Sequence, residues 1–189
     1  MTILQENLLN NLGEEYIRKK GALWLKVISS SMEPFIDIDD RILAITIRPE
    51  EVKMGDVVIF RKNSSPFITH RIIGWRRMEG VLQFLEKGDR NSSATWIPAT
   101  YVMAKVIQIK RKDKRIVMLN TSNTLLANKF FALYHLAEYV YGKIIGRLKV
   151  FVKRSKTSVL LKYPYKYVSR IMRRGQFKSK KILVHLFFK

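Results

Sequence analysis

The sequence predicts a mainly β protein, an antiparallel barrel or sandwich, preceded by an N-terminal amphipathic helix and followed by a basic α-helical C-terminal extension. Three observations lead there: short apolar runs between turn residues in the middle of the chain, a change to helical periodicity near residue 124, and positive charge concentrated toward the end. With 189 residues, 47% hydrophobic and 27% charged, the chain is long and apolar enough to bury a core of its own.

At the start, Ile3, Leu4, Leu8, Leu9, Leu12 and Tyr16 recur at helical spacing, followed by Arg18, Lys19, Lys20 and then Gly21, a natural helix stop. Residues 1–21 are therefore expected to form one amphipathic helix. Acids and amides interrupt its apolar positions, unlike the uniform apolar block of a secretory leader. No apolar run in the chain approaches the roughly 18 to 20 residues that span a bilayer.

The middle region, residues 22–119, is expected to be the β domain. Arg41 to Ile47, Asp56 to Phe60, Ile68 to Ile73, Leu82 to Leu85 and Val102 to Ile109 read as strands. They are separated by the turn-like Asp39-Asp40, Met54-Gly55-Asp56, Asn63-Ser64-Ser65-Pro66 and Lys87-Gly88-Asp89. Short strands at this spacing, with no helical stretch between them, favour antiparallel pairing.

Residues 120–189 form the extension. Leu126, Phe130, Leu133, Ala137, Tyr141, Ile144, Leu148 and Phe151 step by threes and fours, placing one apolar stripe on a long helix. Of the net charge of +21, +15 lies between Lys143 and Lys189, where there are fifteen Lys and Arg and no Asp or Glu. Interleaved with Tyr163, Tyr165, Tyr167, Ile171, Met172 and Phe187, this charge suits an anionic membrane surface. A solvated basic helix whose apolar face docks on the β domain fits equally well. Nucleic acid ranks lower, because no zinc-finger or RNA-binding signature accompanies the charge. The chain has no cysteine, which excludes disulfides and thiolate chemistry and fits a reducing compartment, and its three histidines are too scattered to suggest a metal. No cofactor is called for.

The most informative stretch is Ser29-Ser30-Ser31-Met32-Glu33-Pro34, which interrupts an apolar run. A serine cluster in that place is most simply a cap at the end of a strand, and a lone histidine in a strand is most simply structural. The order of four blocks changes the reading: Ser31-Met32-Glu33-Pro34, then Gly55-Asp56-Val57-Val58-Ile59-Phe60, then His70-Arg71-Ile72-Ile73, then Lys87-Gly88-Asp89-Arg90-Asn91. Together they resemble the S24/S26 serine peptidase superfamily, in particular the signal peptidases whose base is histidine rather than lysine. The resemblance covers roughly Val27 to Ile109.

The resemblance implies a signal-peptidase-like or repressor-like β fold, Ser31 as nucleophile and His70 as base. The chemistry is sound on its own terms, since a serine hydroxyl needs a base within hydrogen-bond reach, and histidine has an ordinary pKa near about 6.5. The Ser31 N–H and the Ser29 hydroxyl are the candidate oxyanion donors. Asp89 is the expected orienting acid. Histidine-type relatives carry a further aspartate after this turn, where the present chain reads Ser92-Ser93-Ala94-Thr95-Trp96. Met32 is expected to line the substrate cleft, with core filling the alternative, and Pro34 to border it while holding Ser31 at an exposed bend. Strand alternation points Arg71 away from His70's face, and Asp56 reads as a turn residue.

These readings converge on a signal-peptidase-type serine endopeptidase acting on a peptide or protein substrate, cytoplasmic and peripheral to a membrane. Two alternatives stay open, a non-catalytic peptide-binding module on a degenerate peptidase fold and a self-processing regulatory protein.

Overall fold

The computed structural model describes residues 15–17, 19–62, 66–154 and 184, with side chains of 148–154 outside the description. Most of the expected N-terminal helix and the tail beyond residue 154 lie outside the described residues. Residues 15–17 are helical, and Gly21 at φ 72° donates its N–H to Ile17 O at 2.9 Å, the left-handed stop that glycine adopts without strain. Ile17 is fully buried in the main core.

Eight strands build one antiparallel sheet: β1 (Ala22–Lys26), β2 (Arg41–Thr46), β3 (Val57–Phe60), β4 (Ile68–Met78), β5 (Val81–Lys87), β6 (Thr95–Pro98), β7 (Val102–Lys110) and β8 (Ile116–Met118). Their spatial order is β1-β2-β7-β3-β4-β5-β6, with β8 also on β7. The mainly β, antiparallel expectation holds, and the sheet does not close on itself among the described residues. Every strand expected from the sequence is present, some a few residues longer than the apolar run that announced it.

Two local devices set the geometry around the site. The β4–β5 hairpin turns at Glu79 and Gly80, both with positive φ (51° and 77°), as a two-residue turn with both centres left-handed requires. Farther along the same pair, the register shifts between Ile72 and Gly74, leaving Ile73 as an extra residue.

A long helix, α1 (Ser122–Arg154), follows the sheet and packs across β4. Thr121 and Thr124 cap its start reciprocally: Thr124 N–H donates to Thr121 Oγ1 at 3.4 Å and Thr121 N–H to Thr124 Oγ1 at 3.2 Å. The helix lies so close that a Cβ on Gly55, at φ 100°, would stand 2.9 Å from the backbone carbonyl of Asn128. Ala127, Asn128, Phe131, Ala132 and His135 face the sheet and are buried. The apolar stripe read from the sequence points the other way, with Leu126, Phe130, Leu133 and Ile144 exposed. The docked side carries Ala127, Phe131 and Ala132 into the core clusters together with the hydrogen-bonding Asn128 and His135, and at Gly55 the backbones approach closely.

Candidate active site

Ser31 sits in the turn that links β1 to β2. Glu33 N–H donates to Ser30 O at 3.1 Å, and Phe35 and Ile36 N–H both donate to Met32 O, so the chain coils tightly just after Ser31. Met32, Phe35 and Ile36 plug this coil into the main core. Met32 is only 2% exposed and packs in the main core, the alternative that the sequence left open beside lining the cleft. Pro34, half-buried, follows a cis peptide bond. Ser31 stays partly accessible, with its Oγ 3.4 Å from the Oγ of exposed Ser29.

The turn after β5 holds Ser31 from the other side. Arg90 N–H donates to Ser31 O at 2.9 Å. The same residue's guanidinium forms an ion pair with Glu33. A Cβ on Gly88 would lie 2.7 Å from both Ser31 O and Asn91 Nδ2, so only glycine permits this approach and the two atoms are within twice that distance of each other. Asn91 Nδ2 in turn stands 3.4 Å from His70 Nε2. The serine loop, the turn and the histidine therefore meet at one place.

His70 projects from β4, its side chain 12% exposed, with its ring edge-on to Phe60 at 6.0 Å. Its Nδ1 lies 2.5 Å from Glu86 Oε2, a carboxylate whose side chain is 8% exposed. Glu86 faces Ile72 across the β4–β5 ladder, which places it diagonally beside His70 on the same face. With Nδ1–H donated to this carboxylate, the Nε2 lone pair is presented toward Asn91.

Asp89 is not the acid on His70. Arg71 Nε donates to Asp89 Oδ1 at 2.9 Å and Arg71 Nη2 to Oδ2 at 2.8 Å, a bidentate pair with both side chains fully buried. His135 Nε2 of α1 approaches Asp89 Oδ1 at 3.0 Å, off the line of an ideal hydrogen bond. Burial by itself would raise the Asp89 carboxyl, but the charge and hydrogen bonds of Arg71, with His135, outweigh it and hold the group well below the usual carboxylate range. Arg71 does point away from His70's face, as alternation requires, and is stacked between Phe35 and Phe131, its guanidinium carbon 4.5 and 5.1 Å from the ring centres. Asp56 holds its turn, accepting from Lys53 N–H at 2.8 Å and pairing with Lys105 at 2.7 Å.

Ser29 and Ser31 thus lie on the loop held by the turn after β5, Asn91 of that turn reaches His70, Asp89 pairs with Arg71, and Met32 lies in the core. The residue that sequence reading missed is Glu86. Its signal lies in the Glu79-Gly80 hairpin turn, which fixes the β4–β5 register, combined with the bulge at Ile73. Among the described residues no cluster of His, Asp and Glu is arranged to hold a metal ion.

Over part of its length the chain is similar to a known protein. A 75-residue stretch, 39% of this chain, is 35% identical to Signal peptidase I W of Bacillus subtilis (strain 168), and the matched region spans 40% of that relative's length. No family model matches the chain.

Proposed function

We propose that this protein is a serine endopeptidase of the signal peptidase type, working through Ser31, His70 and Glu86. The observation that carries the proposal is the His70–Glu86 pair at 2.5 Å, which leaves Nε2 directed at the turn that holds Ser31. In the reaction, Ser31 Oγ attacks the scissile carbonyl carbon and its proton passes to His70 Nε2. Glu86 keeps the ring in the productive tautomer and stabilises the imidazolium that forms. The tetrahedral oxyanion takes hydrogen bonds from the Ser31 N–H and the Ser29 hydroxyl. His70 returns the proton to the departing amine as the C–N bond breaks, leaving an acyl-serine. Water then attacks that ester, giving its proton to His70, and the carboxyl product leaves as Ser31 recovers its hydrogen.

In this reading Glu86 fills the orienting role that later aspartates fill in histidine-type relatives. The test is covalent labelling with a fluorophosphonate probe: it should modify the wild-type protein and fail with Ser31→Ala and His70→Ala. Labelling that persists in Ser31→Ala would overturn the assignment of the nucleophile. Retained peptide binding in a protein that no probe labels would instead favour the binding-module reading.

The site would act at an anionic membrane surface. Supporting this are the outward stripe of α1, with Leu126, Leu133, Val140 and Ile144 exposed, and the basic residues Lys143 and Arg147 farther along the helix. Among the described residues no helix is long and apolar enough to cross a membrane. Co-sedimentation should favour anionic over neutral vesicles and weaken in a Leu126→Ser, Leu133→Ser variant; no preference for anionic vesicles would exclude this placement.

A further inference from the structure

We propose that His135 and Asn128, both on α1, are positioning residues for the serine site, which makes the first turns of the C-terminal helix a working part of the peptidase domain. The proposal rests on the peptidase reading above and adds to it a second, buried layer. Asn128 Oδ1 accepts from Arg71 Nη1 at 2.7 Å, and the same nitrogen also donates to Gly55 O at 3.0 Å. Arg71 then grips Asp89 with its remaining fork, while His135 Nε2 meets Asp89 Oδ1 from the helix side at 3.0 Å. His135 Nδ1 lies 2.9 Å from both Lys87 Nζ and Glu138 Oε2, and Lys87 reaches Glu138 at 2.8 Å. Arg71, Lys87, Asp89 and His135 are all 0 to 1% exposed.

Two cations, Arg71 and Lys87, face two carboxylates, Asp89 and Glu138, with the His135 ring between them. A ring nitrogen 3.0 Å from a carboxylate oxygen carries a hydrogen, since two lone pairs would repel at that distance, so Nε2 offers an N–H to the Asp89 side. Lys87 and Asp89, the first and third residues of the short Lys87-Gly88-Asp89-Arg90-Asn91 segment, are thereby fixed to α1. That segment delivers two groups to the site: the Arg90 N–H that holds Ser31 O at 2.9 Å, and the Asn91 amide 3.4 Å from His70 Nε2. A buried, fully charged network is an expensive way merely to attach a helix, since matched apolar packing serves as well or better. Its value is geometric. It fixes a polar turn in a single place, where a shift of about 1 Å can cost on the order of 100-fold in rate.

The experiment compares phosphonylation rates of wild type, His135→Leu, His135→Gln and Asn128→Ala in the full chain, each measured well below its own melting temperature. Gln can still offer an amide N–H to Asp89, whereas Leu cannot. The expected result is a loss of roughly 10- to 100-fold for His135→Leu and for Asn128→Ala, with His135→Gln within about 3-fold of wild type. Should His135→Leu not fold, Asn128→Ala reads the same linkage from the Arg71 side. Wild-type rates in folded His135→Leu or in Asn128→Ala would overturn the inference, and an equal loss in His135→Gln and His135→Leu would overturn the role given to the His135 N–H. Failure of the wild-type protein to be labelled at all would count against the peptidase reading itself, so the two failures are distinguishable.

Discussion

Replacing Glu86 by Gln isolates the carboxylate on His70 while keeping side-chain size. The contact is 2.5 Å long, and neither partner's side chain is more than 12% exposed, so solvent screens the pair little. Two losses bracket the effect. If the new amide presents its oxygen, Nδ1–H keeps an acceptor and only the charge on the imidazolium's partner is lost. A hydrogen bond to a charged group is worth about 1.5–3 kcal/mol, so this sets a floor of roughly 10- to 100-fold. If the amide presents its NH2, the ring is driven to the tautomer with hydrogen on Nε2, which cannot take the serine proton. In a comparable triad that change costs about 10⁴-fold, or about 5.4 kcal/mol at about 1.36 kcal/mol per decade. The phosphonylation rate of Glu86→Gln should thus fall by between about 10- and 10⁴-fold, with a stability cost of only about 1–2 kcal/mol. The assay is the second-order labelling rate of folded protein, with thermal unfolding in parallel. A rate within about 3-fold of wild type would refute the role of Glu86.

Further outcomes follow from the same contacts. Asp89→Asn removes the charge from a fully buried pair and leaves Arg71 without its counter-charge, so the protein should lose about 3–5 kcal/mol in denaturant unfolding, in contrast to the smaller cost for Glu86→Gln. Because the folded Asp89 carboxyl is held below its unfolded value, the unfolded chain binds the extra proton; stability from this group is present above about pH 4 and falls as pH drops below it, by up to about 1.4 kcal/mol per unit. Denaturant titrations at falling pH should show that slope in wild type and a shallower one in Asp89→Asn. Gly55→Ala should cost about 2 kcal/mol or more, since the new methyl meets the Asn128 carbonyl at 2.9 Å and the backbone is at φ 100°; Gly55→Asn, although tolerant of positive φ, should do no better.

The β character and the order of the strands along the chain were legible in the sequence because alternation and turn residues are local signals. The orienting acid was not. Counting back from the Glu79-Gly80 turn without interruption sets His70 opposite Asp89, on one face. The extra residue at Ile73 moves the ladder by one, so that Ile72 pairs with Glu86 and Arg71 with Lys87. That single shift brings Glu86 to His70's side and sends Asp89 to the side of Arg71. The facing of α1 was hidden for a similar reason. Its apolar period is clear, yet the face that docks is chosen by a close approach at Gly55 and by polar partners waiting beneath, Arg71 and Asp89, which belong to distant parts of the chain.

The central claim, that Ser31 is the nucleophile served by His70 and Glu86, is tested most directly by locating the adduct. Peptide mapping by mass spectrometry after fluorophosphonate treatment should place one phosphonyl group on the peptide containing Ser31, and none there in His70→Ala. An adduct on another residue, or equal modification of Ser31 in His70→Ala, would contradict the account.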